Sequence, residues 1–175
     1  NTLRQNISQC VGSGRGYVNR WGGCVMATVI RGSDNWDTAD AVGPSFRATM
    51  SAVQNVSSNV ATKCSFDTET WDTNGDYNTT LYRFTPSVAG YYHFYHHSQT
   101  AVGNTAFWAY IYKNGSSTLQ AYNGGVDNIG WDVTGMLYMN GTSDYVEAYA
   151  KNIGGTSNDN ASSNVYFEGY LARGA

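Results

Sequence analysis

Beyond Pro44 the chain falls into short runs in which apolar or aromatic residues take every second position, separated by junctions of Gly, Asn and Asp. A period of two places successive side chains on opposite faces of a strand. On this pattern Phe46-Arg47-Ala48-Thr49-Met50 predicts a first strand, and others are expected at 60–66, 82–84, 91–98, 106–113, 118–122, 128–139, 145–151 and 164–172. Asn74-Gly75, Asn114-Gly115 and Asn140-Gly141 offer the positive backbone angles that tight hairpins need. No stretch carries a helical period. The expectation is an all-β chain, an antiparallel sandwich of about eight to ten strands.

The first part of the chain is patterned differently. Gly12, Gly14, Gly16, Gly22 and Gly23 interrupt each apolar run, and Val25-Met26-Ala27-Thr28-Val29-Ile30 is the one strand-like island. Tyr17, Trp21 and Trp36 are large rings of a kind that a solvated linker seldom carries. Residues 1–44 are therefore expected to form an extended N-terminal arm that anchors the chain and adds strands to a neighbour's sheet, and residues 45–175 the globular domain.

Four ordered blocks in that domain carry a resemblance. Arg83-Phe84-Thr85-Pro86 followed by Ala89-Gly90-Tyr91-Tyr92-His93-Phe94, then Ile111-Tyr112-Lys113-Asn114-Gly115, then Met136 to Gly141 with Asp144-Tyr145-Val146, and last Tyr166-Phe167-Glu168-Gly169-Tyr170-Leu171, together resemble the C1q/TNF-like jelly-roll family. The chain departs from the family pattern at Tyr82, where a Gly is usual, at Thr142-Ser143, which loosens a Gly-Asp turn, and at Glu168, where Ser is common. The resemblance implies a jelly-roll β-sandwich that associates as a homotrimer. Trp108, Tyr110 and Tyr112 alternate with Phe107, Ala109 and Ile111, so both faces of that strand are apolar or aromatic. One face fills the core, and Trp108, Tyr110 and Tyr112 are expected at the trimer interface.

The stretches Asp-Thr-Asn-Gly-Asp-Tyr and Ile-Tyr-Lys-Asn-Gly are similar to C1q-like modules of bacteriophage and bacterial structural proteins more than to the vertebrate complement type. The implied role is a virion-surface component: a fibre tip or capsid-surface decoration held to other virion proteins by the arm and displaying loops to host glycans. The alternative is a secreted, extracellular C1q-like recognition lectin or ligand. Rings and neutral amides suit sugars, and Trp71, Tyr77, Tyr122, Asn123, Asp127 and Trp131, in or beside the expected loops, are the candidate contacts.

Composition narrows the chemistry. Only 13% of residues are charged, so the surface must work through neutral hydrogen bonds and aromatic contact rather than ion pairs. A net charge of −3 offers no extended cationic face to neutralise phosphates, which argues against nucleic acid. No run approaches the roughly 18 apolar residues that cross a bilayer, so no membrane insertion is expected. Asn1 rather than Met opens the chain, which fits either a processed terminus or a piece of a longer polypeptide.

The three cysteines, Cys10, Cys24 and Cys64, lack zinc-site spacing. Cys10 and Cys24 either pair across a short Gly-rich loop, leaving Cys64 free, or all three remain thiols. His93, His96 and His97 sit on one expected strand, with His93 and His97 on one face and His96 on the other. No nucleophile or zinc-protease motif occurs, and the protein is expected not to be an enzyme. The alternating Asp67, Glu69, Asp72, Asn74 and Asp76 suit calcium in residue type but lack the Glu that closes an EF-hand loop. Asp72, Asn74 and Asp76 are weak calcium candidates, and no other cofactor is expected.

Overall fold

The structure, a computed structural model, describes residues 43–99, 106–124, 130–154 and 164–175, together with three short strand segments. The chain divides into two compact units, Asn1–Ala41 and Val42–Ala175. In the first, β1 (Tyr17–Val18) pairs antiparallel with β2 (Cys24–Val25). Apart from Gly43 and Pro44, the remainder of the expected arm, with Cys10, Trp21 and Trp36, lies outside the described residues.

The second unit contains β3 (Ser45–Thr49), β4 (Gln54–Val56), β5 (Thr62–Lys63), β6 (Thr68–Asp72), β7 (Tyr77–Asn78), β8 (Arg83–Phe84), β9 (Ala89–Gln99), β10 (Ala106–Lys113), β11 (Ser116–Asn123), β12 (Gly130–Asn140), β13 (Val146–Ile153), β14 (Ser157–Asp159) and β15 (Tyr166–Gly174). One sheet runs β11-β10-β13-β8-β7 with β5 also on β13, and the other β12-β9-β15-β3-β6. β14 and β4 form a separate pair. Every strand pairing among the described residues is antiparallel, and the two sheets make a jelly-roll sandwich.

Strand 106–113 lies where the alternation places it, and most others shift by a residue or two. The short strands differ more. Segment 60–66 contracts to Thr62–Lys63, while Cys64 and Phe66 enter the core from irregular backbone. β4 and β6 carry the polar sequences QNV and TETWD, and β6 is an edge strand with four of its five residues exposed, so no apolar period marks it. Of the three Asn-Gly pairs, only Asn114-Gly115 closes a hairpin, with φ of 52° and 79° joining β10 to β11. Gly75 and Gly141 also take positive φ, but they sit where the chain passes from one sheet to the other.

The core is a set of rings crossing between the sheets. Phe46 of β3 stacks on Phe84 of β8 at 4.3 Å and on Tyr77 of β7 at 5.0 Å. Phe167 meets Phe46 edge-on at 5.0 Å, and Tyr92 and Phe94 approach Phe84 in the same manner. Gly169 makes this possible, since a Cβ there would lie 2.5 Å from the Phe94 ring. At the other end Phe107 of β10 stacks on Trp131 of β12 at 4.4 Å.

His96 belongs to this core and is fully buried. Its Nδ1 lies 3.3 Å from the Tyr110 carbonyl oxygen, its Nε2 lies 3.9 Å from Cys64 Sγ, and Phe66 packs edge-on against the ring. Burial drives its pKa down to about 4, partly opposed by the bond to the Tyr110 carbonyl.

Two predictions test this account. A base that must stay neutral to fold binds its proton more readily in the unfolded chain. Its stabilisation is therefore complete above the ordinary value of 6.5 and is lost as pH falls towards 4. Urea unfolding should show stability falling by about 3 kcal/mol across that window, because each tenfold difference in proton affinity between the folded and unfolded chain is worth ~1.4 kcal/mol. His96→Gln should flatten the slope. The second prediction concerns Tyr82, the residue standing where the family has Gly, which takes φ of 51°. Side chains with a Cβ are strained there by about 1 kcal/mol or more. Tyr82→Gly should thus be more stable than Tyr82→Ala by about 1 kcal/mol in thermal unfolding, the reverse of the usual order in extended backbone.

Candidate functional site

Alternation that sends rings inward sends the next residues outward, and strand register lines these up in rows on each outer face. On the five-stranded sheet, pairing sets Asp132, His97, Tyr166 and Thr49 side by side, then Thr134, Tyr95, Glu168, Arg47 and Trp71. Next come Met136, His93, Tyr170 and Ser45, and finally Tyr138, Tyr91 and Arg173. The first two rows are a hydrogen-bonded polar field. Asp132 Oδ1 accepts from the Tyr95 hydroxyl and lies 2.6 Å from His97 Nδ1, and Tyr166 stacks on both rings. Arg47 lies 3.8 Å over Tyr166 and bonds Glu168 at 3.2 Å. Partial burial opposes ionisation of Asp132, but the bonds from Tyr95 and His97 outweigh it and hold the carboxyl below its usual range. Partial burial and the same carboxylate push the Tyr95 phenol up.

The last two rows are more open, with four large apolar or aromatic side chains set among His93, Ser45 and the exposed Arg173. Tyr91, Met136, Tyr138 and Tyr170 are exposed by 47%, 54%, 44% and 51%. Tyr91 and Tyr138 touch edge to face at 5.5 Å, and His93 packs at 5.4 Å from Tyr170 while its Nε2 lies 2.9 Å from Thr134 Oγ1. Lys113 Nζ also lies 5.9 Å from the centre of the Tyr138 ring.

The six-stranded sheet presents a different face. Register places Tyr122, Trp108 and Lys151 in one row, Gln120, Tyr110, Tyr149 and Lys63 in the next, and Tyr112 beside Glu147 in a third. Arg83 adjoins that third row, because its neighbour Phe84 pairs with Val146. Trp108, Tyr110 and Tyr112 point outward from β10, as their alternation requires. They are largely covered by neighbours within the chain: Tyr122 lies 4.7 Å from Trp108, and Tyr112 stacks on Tyr149 at 4.0 Å. Tyr110 is only 8% exposed. Glu147 is more deeply buried still, and its Oε1 takes Lys63 at 2.7 Å and Arg83 Nη2 at 2.7 Å. Two cations on one carboxylate oxygen offset the cost of burying it. Arg83 also lies 4.0 Å over Tyr145, and Lys151 5.2 Å over Trp108.

The candidate contacts separate accordingly. Trp71 sits on edge strand β6, half-exposed beside Arg47, and not in a loop. Tyr122 is the most exposed ring of the described residues, at 61%, and Asn123 ends the same strand. Tyr77 and Trp131 are core rings rather than surface contacts. Tyr77 stacks on Phe46 and donates to the Phe66 carbonyl at 2.8 Å, while Trp131 stacks on Phe107. Asp127 lies outside the described residues. The calcium candidates serve their own loops. Asp72 accepts from the backbone N–H groups of Asn74, Gly75 and Tyr77, and Asp76 from the N–H and hydroxyl of Ser87. Among the described residues no cluster of three His, Cys, Asp or Glu side chains is arranged to hold a metal.

Sequence reasoning missed Tyr91, Met136, Tyr138 and Tyr170, the exposed side chains in the last two rows of the five-stranded sheet. The signal was present in β9, where Tyr and His occur at odd and even positions alike, which leaves as much ring surface outside as inside.

Comparison with known proteins bears on the whole second unit. The C1q domain model matches residues 45–172. The globular domain of zebrafish complement 1qA protein superposes with a TM-score of 0.51 at 14% identity, covering 75% of this chain and 99% of that one. Murine APRIL at pH 5.0 gives 0.59 at 6% identity, covering 74% and 98%. Eiger TNF from S. frugiperda gives 0.56 at 10% identity, covering 77% and 94%. No curated protein sequence matches the chain. With the domain model spanning most of its length, and with two antiparallel sheets in jelly-roll order, this chain belongs to the C1q domain family.

Proposed function

We propose that the chain forms a non-enzymatic, homotrimeric recognition head assembled through the outer face of the five-stranded sheet. The observation that carries this reading is the group of exposed side chains Tyr91, Met136, Tyr138 and Tyr170, with Arg173 at its edge and, on the other side, the polar residues Tyr95, His97 and Asp132, which already bond one another. Exposed contiguous apolar surface of this kind marks association sites, and the cost of desolvating the polar rows is reduced because their hydrogen bonds are made within the chain. Trp108, Tyr110 and Tyr112, the interface suggested by alternation, have most of their ring area covered already, so burying them in a trimer gains less. A binding role rather than a chemical one is supported by Asp72, Asp76, Asp144 and Glu147 among the described residues, which act as loop caps and ion-pair partners.

Such a head serves a virion fibre or capsid-surface protein, held by its arm and turned towards host glycans, and equally a secreted recognition lectin. Both need a rigid trimer whose outer walls remain free.

Light scattering should return three times the 19.1 kDa chain mass. Tyr170→Asp and Met136→Asp should each yield a folded monomer, with the far-UV spectrum and unfolding midpoint little changed. Trimers that survive both substitutions but are lost in Tyr112→Asp would return the interface to β10.

A further inference from the structure

With the five-stranded face taken up by assembly, as the reading above requires, the wall left to partners includes the outer face of the six-stranded sheet. We propose that this face binds an acidic polysaccharide, its pyranose rings lying on Tyr122 and Trp108 and its anionic groups meeting Lys151, Lys63 and Arg83.

The chain as a whole carries a net charge of −3, yet this face is locally positive. Among the described residues its only carboxylate is Glu147, shared by Lys63 and Arg83, and Lys151 has no carboxylate partner there. Three cations against one anion leave a surplus of two. They are not scattered. Each of three successive rows pairs rings contributed by β10 with a cation on or beside β13, and rows repeat about every 7 Å along the strands.

Two parts of this surface suit a saccharide in particular. Tyr122 is exposed and tilted 41° against Trp108, which presents ring faces to the C–H side of a sugar, and Gln120 beside them offers a neutral donor and acceptor for hydroxyls. The cations are half-buried and held in place by ring or carboxylate contacts, so less side-chain entropy is lost when an anion docks. A single-stranded nucleic acid would also use rings and cations. It carries a charge on every nucleotide, and two surplus cations on an acidic chain release few counterions. A polymer of neutral and acidic sugars matches the observed density better.

The test titrates the full chain with hyaluronan oligosaccharides, in which neutral and acidic sugars alternate, with neutral dextran oligosaccharides and with an oligothymidylate at low and raised salt, with the mass of the same sample read by light scattering. The expected result is hyaluronan-oligosaccharide binding that weakens with salt, no comparable binding of dextran, and an affinity reduced about fivefold in each of Tyr122→Ala and Lys151→Gln. No hyaluronan-oligosaccharide binding, dextran binding as well, tighter oligothymidylate binding, or affinity unchanged in both variants would each overturn the assignment. A trimer that fails to bind rejects this inference alone. Binding by a monomer rejects the assembly through the five-stranded face and keeps the ligand.

Discussion

Packing of Phe46 on Phe84 across the sandwich is the constraint on which the rest of this domain depends. β8 is a two-residue strand, tied to β13 at one position and to β7 over two, and has little ladder of its own. What holds it is Phe84, fully buried and surrounded by Phe46, Tyr92 and Phe94. Once Phe46 faces inward, Ser45, Arg47 and Thr49 must face outward. β15 and β9 follow in register, because a one-residue slip would turn every ring to the wrong side. The outer rows that make up both candidate surfaces are therefore a by-product of filling the core.

Much of that core was legible in the sequence because long strands repeat the period often enough to be unambiguous. β10 is the clearest case, with Phe107, Ala109 and Ile111 fully buried and Trp108 and Tyr112 on the other side. Tyr77 and Trp131 show where the signal fails. Tyr77 lies in a two-residue strand flanked by Asp and Asn, so its neighbours suggest a loop although its ring completes the Phe46 stack. Trp131 follows a Gly-rich junction and is followed by Asp132, and only the pairing of β12 with β9 turns it inward. Single rings in short or interrupted segments carry no period, and tertiary contact decides them. The polar edge strand β6 was invisible for a related reason, since both of its faces are largely exposed.

Identity along the chain also hid the choice between faces. In β9 the inward residues are Tyr92, Phe94 and His96 and the outward ones Tyr91, His93, Tyr95 and His97, so residue type alone hardly distinguishes them. Which face is covered depends on neighbours from distant segments. Tyr112 finds Tyr149 and Trp108 finds Tyr122, whereas Tyr91 and Tyr138 find mainly each other, and Tyr170 packs against His93 with half its surface still open. Bulk charge conceals local charge in the same way. A net value of −3 suggests no cationic face, but the acidic residues are drawn into turns such as those of Asp72 and Asp76, while Lys63, Arg83 and Lys151 gather on one sheet.

Glu147 explains how such a gathering is stable. A carboxylate buried in the pavement of an outer face would cost several kcal/mol if unpaired, and lysine and arginine beside one another would repel. Placing the anion between them removes both penalties at once and fixes the two cations relative to the rings of Tyr149 and Tyr145. The polar field around Asp132 solves the corresponding problem on the opposite sheet, with Tyr95 and His97 supplying neutral or cationic donors to a single oxygen. The difference lies in what surrounds each network. Around Glu147 the rings of Tyr112 and Tyr149 close over one another and leave charge at the rim, whereas beyond the polar field of Asp132 the rings of Tyr91, Tyr138 and Tyr170 stand open. A surface of the first kind is stable in water and selects a charged partner, while one of the second kind gains most by meeting a copy of itself.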